Sequence, residues 1–195
     1  MINYQIIYDA VEHYKRLGYN YIEVPWLVSK ESLDVTRPPE ARYFSTFKGE
    51  LVASGEQSFI EIRKDLCPGR KYQCVTPCFR DEKCDELHKP WFIKCELILP
   101  LWKGDDADKA VDVVLKEAYS LFKRYASYEG SPVMVKTDIG FDINMLGIEV
   151  GSYGYREHDG FRWVYGTGVA EPRLSYVRQK IEEEIDRRND ELMRS

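Results

Sequence analysis

Between Thr76 and Leu97 the chain carries two stretches of strand-forming residues, Thr76 to Phe79 and Phe92 to Leu97, with only a short polar loop between them. Two strands joined this closely commit the chain to a fold built on a sheet. Further extended segments follow the same logic. Tyr21 to Val24 reads as a strand stopped by Pro25, Val133 to Lys136 as another, and Ile148 to Tyr155 as a third. Phe161 to Tyr165 then leads into Gly166 and Gly168. Helices frame these strands. Ile7, Val11 and Tyr14 recur at helical spacing through Lys15, and Gly18 ends that helix. Asp106 to Tyr125 places Val111, Leu115, Ala118, Phe122 and Tyr125 on one helical face. A last helix starts near Pro172, with Val177, Ile181 and Ile185 on its buried side and the pairs Glu183 with Arg187 and Glu184 with Arg188 on its wet side. Lys30 to Lys48 is polar and contains Pro38 and Pro39, which predicts a loop. The expected fold class is α+β: a mostly antiparallel sheet flanked by helices, in a single domain over residues 1–195.

Charge and cysteine usage narrow the function classes. With 28 basic and 33 acidic residues the formal charge is −5, which supplies no global attraction for a polyanion. No apolar run reaches the roughly 18 residues of a membrane span, and the N-terminal residues lack the basic and apolar blocks of a secretory signal, so a soluble, cytoplasmic protein is expected. The five cysteines contain no Cys-x-x-Cys spacing, which argues against both a disulfide framework and a zinc site and leaves them as thiols.

The chemistry-bearing residues concentrate on the first strand pair. Arg80 offers a permanently charged planar fork for phosphate, Phe92 a face on which a base can stack, and Glu96 a carboxylate for a small cationic group. Together with Glu82 they describe an ATP site built on a sheet rather than on a glycine loop. Each has a bland alternative: a surface ion pair for Arg80 and Glu82, a core position for Phe92, a strand kink for Gly166 and Gly168, and a solvated edge for Glu149.

Three segments, in order along the chain, resemble the signature motifs of the class II aminoacyl-tRNA synthetases. Gly18, Tyr19, Ile22 and Pro25 resemble motif 1 (about 8–28). Phe79, Arg80, Asp81 and Glu82 resemble motif 2 (about 72–99), and Gly166, Gly168, Ala170 and Arg173 resemble motif 3 (about 162–185). The run Phe92, Lys94, Glu96, Leu97 and the alanine at position 170 are most similar to the seryl-type branch. Ser54, Gly55 and Glu56 stand where that branch carries a Thr-x-Glu loop, and Glu149 to Ser152 resembles its magnesium-binding strand, which is also similar to that of ammonia-dependent asparagine synthetase. Pro172 departs from the pattern, standing where an acidic residue commonly precedes the motif 3 arginine, with Glu171 one place earlier.

The resemblance implies a class II catalytic fold and ATP-dependent activation of an amino acid as an aminoacyl-adenylate. It implies Arg80 and Arg173 as the catalytic pair, on the α-phosphate and the γ-phosphate end respectively. Glu82, His88, Phe92 and Gly168 join them in binding ATP, while Glu56, Glu96 and Ser152 bind the amino acid. Glu149 and Ser152 would hold Mg²⁺, and Gly151 between them makes plausible the bulge needed to turn residues three apart to one side. Asn144, Tyr153 and His88 are further candidates for the amino-acid pocket. Motif 1 implies a symmetric homodimer, with Trp26, Leu27 and Val28 supplying apolar surface. The short loop Lys83 to Lys89 and the few residues outside the three motifs point to an acceptor other than a full tRNA, such as a carrier protein, a small amine or another RNA. The alternatives are a regulatory paralogue that binds ATP or an amino acid without turnover, amide formation in the manner of asparagine synthetase, and a minimal tRNA ligase. The sequence assigns the Lys30 to Lys48 segment no role; a lid that folds over the site would be protected from protease by ATP with the correct amino acid.

Overall fold

The computed structural model describes residues 1–81, 83–127 and 130–194, with the side chain of residue 194 left out. Its first helix, α1 (Tyr4–Arg16), is capped by Asn3, whose side chain accepts from the backbone N–H of Gln5 and Ile6. Ile6, Ile7, Ala10 and Tyr14 form its buried stripe, and Gly18 turns the chain out of it at φ +87°. The strand expected over 21–24 is shorter and earlier: β1 (Asn20–Tyr21) pairs with the start of β5 (Tyr72–Phe79), and the chain leaves the ladder after the Ile22 N–H has bonded to Gln73.

The segment from 30 to 48 is not merely a loop. It holds a short helix, α2 (Lys30–Asp34), capped by Ser29, and a strand, β3 (Ser45–Thr46). With β2 (Leu27–Val28) and β4 (Gly49–Leu51), β3 makes a small antiparallel sheet over Val28, Leu33 and Val52. Val28 is therefore buried within the chain's own fold, while Trp26 and Leu27 remain exposed. Helix α3 (Gly55–Glu61), which the sequence pattern did not announce, follows directly with Ser54 as its cap.

Seven strands form the main sheet, in the order β1-β5-β6-β10-β9-β8-β7, with β6 (Trp91–Pro100), β7 (Val133–Thr137), β8 (Gly140–Met145), β9 (Ile148–His158) and β10 (Phe161–Glu171). Among the described residues only the β1–β5 pairing is parallel. Strand β8 was not anticipated, and the segment expected over 161–165 runs on through both glycines as one strand. Helices α1 and α4 (Ala107–Phe122) cover one face, where Cys95, Leu97, Tyr153, Val164 and Val169 meet Val111, Leu115, Ala118 and Phe122. The helix expected to reach Tyr125 ends at Phe122 and continues as a single 3₁₀ turn. Helix α5 (Arg173–Arg194) buries Val177 and Ile181 as expected, but Ile185 is exposed, because the helix has by then run past the sheet. Its surface pairs are set at three residues' spacing: Glu183 bonds Lys180 and Glu184 bonds Arg187, in place of the expected Glu183 with Arg187. No disulfide links the five cysteines among the described residues.

The opposite face of the sheet carries a second cluster, Phe59, Ile60, Tyr72, Cys74, Ile98 and Trp163. Beyond it, toward the β5–β6 loop, the same face is left open. Period-2 alternation turns Arg80, Phe92, Lys94, Glu96, Ser152 and Arg156 toward that opening.

Candidate active site

Strand register brings the functional side chains together. In the β5–β6 ladder Cys78 stands opposite Phe92, Thr76 opposite Lys94 and Cys74 opposite Glu96, while β10 places Thr167 opposite Glu96 from the other side. The open face holds two communicating chambers. Arg80, His88, Phe92, Glu149, Ser152 and Arg173 line the first, with Lys94, Thr167 and Glu171. Ser54, Glu56, Glu96, Arg156 and Tyr165 line the second, whose outer wall comes from Leu33 and residues 36–43. Arg80, Lys94, Ser152 and Thr167 belong to both and form the junction.

The first chamber is narrow, about 120 Å³, and Arg80 is part of its lining. The Arg80 guanidinium lies 5.0 Å from the centre of the Phe92 ring, and its Nε donates to the Ala53 carbonyl at 3.3 Å. The face of Phe92 expected to receive a base is thus covered by the arginine expected to meet phosphate. Across the chamber Arg173 donates through Nη1 to the Glu149 carbonyl at 3.3 Å and reaches its carboxylate at 3.5 Å. Glu149 and Ser152 do share this chamber. Asn144 pairs with Glu149 and Ile143 with Gly151, so Val150 is the extra residue of a bulge that turns both side chains to one side. Their carboxylate and hydroxyl form a donor set suited to a hard cation that takes its remaining ligands from phosphate and water. Among the described residues no three His, Cys, Asp or Glu side chains converge as a self-sufficient metal site.

His88 lies at the mouth. Its Nδ1 contacts Asp85 at 2.8 Å, and Asp85 also accepts from the N–H groups of Leu87 and His88. These bonds, led by the one from His88, hold the Asp85 carboxyl down at about 2. Glu86 in the same loop accepts from the Tyr176 hydroxyl and ties the loop to α5.

At the floor of the second chamber, both carboxylates are already engaged. Glu56 accepts from Trp163 Nε1 at 2.7 Å and from Arg156 Nη1 at 3.0 Å, while burial pushes its carboxyl up and the arginine opposes that shift. Glu96 accepts from the Ser54 hydroxyl at 2.6 Å and from Lys94 at 2.7 Å, a pair almost without solvent exposure. Gly55 permits this packing, since a Cβ there would lie 2.8 Å from Glu96 Cγ. The two carboxylates expected to receive an ammonium are therefore members of ion pairs rather than bare.

Other expected residues fall elsewhere. Gly168 lines neither chamber. It is the extra residue of a bulge in β10, where a Cβ would lie 2.9 Å from the Tyr14 ring, and its carbonyl accepts from the Tyr14 hydroxyl at 2.9 Å. Tyr153 points into the core and donates to the Thr167 carbonyl, and Asn144 lines neither chamber. Glu82 lies outside the described residues. Lys94, Arg156, Trp163, Tyr165 and Thr167 are site residues to which the motifs assigned no role. Alternation from Ser152 along β9 reaches Arg156, but the register that sets Trp163 and Tyr165 beside it is a tertiary fact.

No family model matches the chain, and no curated protein sequence matches it. Solved structures do. The pyrrolysyl-tRNA synthetase PylSc of Desulfitobacterium hafniense superposes with a TM-score of 0.70 at 15% identity, over 90% of this chain and 66% of that one. The seryl-tRNA synthetase of Pyrococcus horikoshii, complexed with ATP, gives 0.70 at 16% identity over 89% and 49%. The cytoplasmic serine-tRNA ligase of Naegleria fowleri, in complex with AMP, gives 0.68 at 13% identity over 89% and 47%. The chain thus spans about two thirds of the first of these proteins and about half of the other two. Among the described residues no helix is long and apolar enough to cross a membrane. With its mostly antiparallel sheet, its flanking helices and these neighbours, the chain has the fold of the class II aminoacyl-tRNA synthetase catalytic domain.

Proposed function

We propose that the protein activates an amino acid with ATP, forming an aminoacyl-adenylate and pyrophosphate. The observation that carries this reading is the position of Arg80 at the junction of two chambers, one lined for a nucleotide and one for a second substrate. A carboxylate entering from the second chamber and an α-phosphate entering from the first would meet at this guanidinium. The carboxylate oxygen attacks the α-phosphorus in line, a new O–P bond forms, and the bond to the β-phosphate oxygen breaks as pyrophosphate leaves. Charge on the equatorial oxygens rises in the transition state, where a fixed planar cation stabilises it.

Binding ATP in this way requires Arg80 to swing off Phe92, exchanging its ring contact for phosphate while adenine takes the ring face. Arg173 would release Glu149 and take the γ-phosphate end. Glu149 and Ser152 would then hold Mg²⁺, which neutralises phosphate charge when bound. Lys94, fixed by Glu96, adds a second cation at the junction. The acceptor that consumes the adenylate is, in this reading, a carrier protein or small molecule rather than a full tRNA, which the formal charge of −5 and the short Lys83 to Lys89 loop favour. Trp26 and Leu27, exposed just after the motif 1 segment, support a homodimer through that segment.

The test is amino-acid-dependent exchange of pyrophosphate into ATP. We expect exchange with one or a few amino acids, and a loss of roughly 100- to 1,000-fold in Arg80→Ala. Among the described residues the Arg80 side chain is held by the Phe92 ring and the Ala53 carbonyl, both near the open face, so the variant should fold. Exchange that survives the substitution would remove Arg80 from the chemistry.

A further inference from the structure

Among the described residues three carboxylates are buried: Glu56, Glu96 and Glu171. The first two belong to ion pairs on the floor of the second chamber. Glu171 has no exposed surface and ends β10, two residues before Arg173. Taking a carboxylate out of water is costly unless donors meet it.

Its donors come from two helices. In the β10–β6 ladder Glu171 stands opposite Ile93, which packs on the helix-covered face, so its side chain turns toward α1. There Oε2 accepts from the backbone N–H of Asn3, the cap of α1, at 3.1 Å and from the Ser175 hydroxyl at 2.6 Å. Oε1 accepts from the Ser175 N–H at 2.9 Å. Burial pushes the Glu171 carboxyl up, and these donors oppose that shift. The bonds to Ser175 stand in for an ordinary helix cap. The Pro172 carbonyl accepts from the Tyr176 N–H, the first intrahelical bond of α5, so Pro172 occupies the cap position. Proline has no side-chain oxygen to offer the N–H groups of the first turn. Glu171, one place earlier, supplies it, which gives the departure from the motif 3 pattern a physical sense.

Arg173 depends on this turn. Its guanidinium is held by Glu149, at 3.3 Å to the carbonyl and 3.5 Å to the carboxylate. Once it leaves Glu149 for phosphate, its aim is set by where the main chain of residue 173 stands. A long side chain whose base shifts keeps its charge but loses the geometry of its hydrogen bonds. Resting on the adenylate reading above, we propose that Glu171 is a positioning residue: its carboxylate, shared between α1 and α5, holds the first turn of α5 so that Arg173 meets the γ-phosphate end of ATP. Leu174 and Val177 are buried, so α5 stays docked when this clamp is cut and only its first turn loosens.

Calorimetric titration with ATP and with ADP, each with Mg²⁺, tests the clamp, because the γ-phosphate is what separates the two ligands. Wild type should prefer ATP. Glu171→Gln keeps the size of the side chain but brings an amide donor where donors already point, and should weaken ATP by roughly 3- to 10-fold while leaving ADP unchanged. Ser175→Ala removes one donor and should act in the same direction, so it carries the test if Glu171→Gln fails to fold. In an Arg173→Ala background neither substitution should alter the affinity for ATP further. Equal losses for ATP and ADP would mark a purely structural residue and overturn the proposal. So would an unchanged ATP-to-ADP ratio, a loss that persists without Arg173, or a wild type that does not prefer ATP. Pyrophosphate exchange separates the two readings. A lost ATP preference in Glu171→Gln, from a wild type that shows no exchange, would uphold the clamp and sink adenylate formation; exchange in Glu171→Gln with a wild-type KM for ATP would do the reverse.

Discussion

Replacing Arg156 by methionine tests the electrostatics of the site floor. The substitution keeps much of the side chain's bulk over Tyr165 and removes the cation 3.0 Å from the Glu56 carboxylate. Breaking a fully buried ion pair costs about 3–5 kcal/mol. Glu56 has a side chain 9% exposed, but that of Arg156 is 30% exposed, so water screens part of the interaction. Trp163 also keeps its bond to the carboxylate. The expected loss at neutral pH is therefore about 2–3 kcal/mol, or a fall of roughly 4–12 °C in melting temperature for a chain of this size.

The pH dependence gives the sharper readout. Burial already raises the Glu56 carboxyl above its ordinary value, and Arg156 opposes that rise. A carboxyl whose folded-state value is raised contributes stability that is present at low pH and lost as pH rises through the folded value. Methionine at 156 moves the folded value higher still, so the variant's deficit should be complete on the alkaline side of that value and shrink as pH falls through it and Glu56 takes up a proton. Urea unfolding of wild type, Arg156→Met, Glu56→Gln and the double variant across this range measures it. Glutamine at 56 still accepts from Trp163 and carries no charge, so most of the loss should disappear in its presence. A deficit equal at every pH, and equal in the Glu56→Gln background, would refute the reasoning.

Three further outcomes follow from the geometry. Gly168→Ala should destabilise by about 1–3 kcal/mol, because the new methyl meets a buried ring at 2.9 Å and the Cys95 carbonyl at 3.0 Å; an unchanged unfolding midpoint would show that α1 yields there. Phe92→Ala should raise the KM for ATP in the exchange assay roughly tenfold or more while leaving kcat largely intact, as expected for a lost stacking face; an unaltered KM would place adenine elsewhere. Residues 36–43 wall the second chamber and reach motif 2 through the pair of Arg42 with Asp81, so ATP with the bound amino acid should slow proteolytic cleavage within them; an unaltered cleavage rate would remove the closing role of this segment.

Helices α1, α4 and α5 were legible from their apolar periodicity and terminal signals, because an amphipathic stripe is a property of one segment. The strands around Arg80 and Phe92, and those at 148–155 and 161–165, were legible for the same reason. Short elements were not. Helices α2 and α3 and strands β3 and β8 contain too few residues to show a period, and β1 is held by a partner fifty residues away. Within the site, alternation along single strands placed Arg80, Phe92 and Glu96 on one face, and Gly151 marked the bulge that joins Glu149 to Ser152.

Pairing across strands was left to tertiary structure. Glu56 belongs to α3, Arg156 to β9 and Trp163 to β10, and only their packing converts an expected ammonium ligand into one arm of an ion pair. Gly168 looked like part of the phosphate site but gives α1 its close approach to the sheet, because the bulge turns it to the core side. The order of residues along the chain determined which side chains face the same way; the register between strands decided which of them meet, since that register is set by contacts no single segment contains.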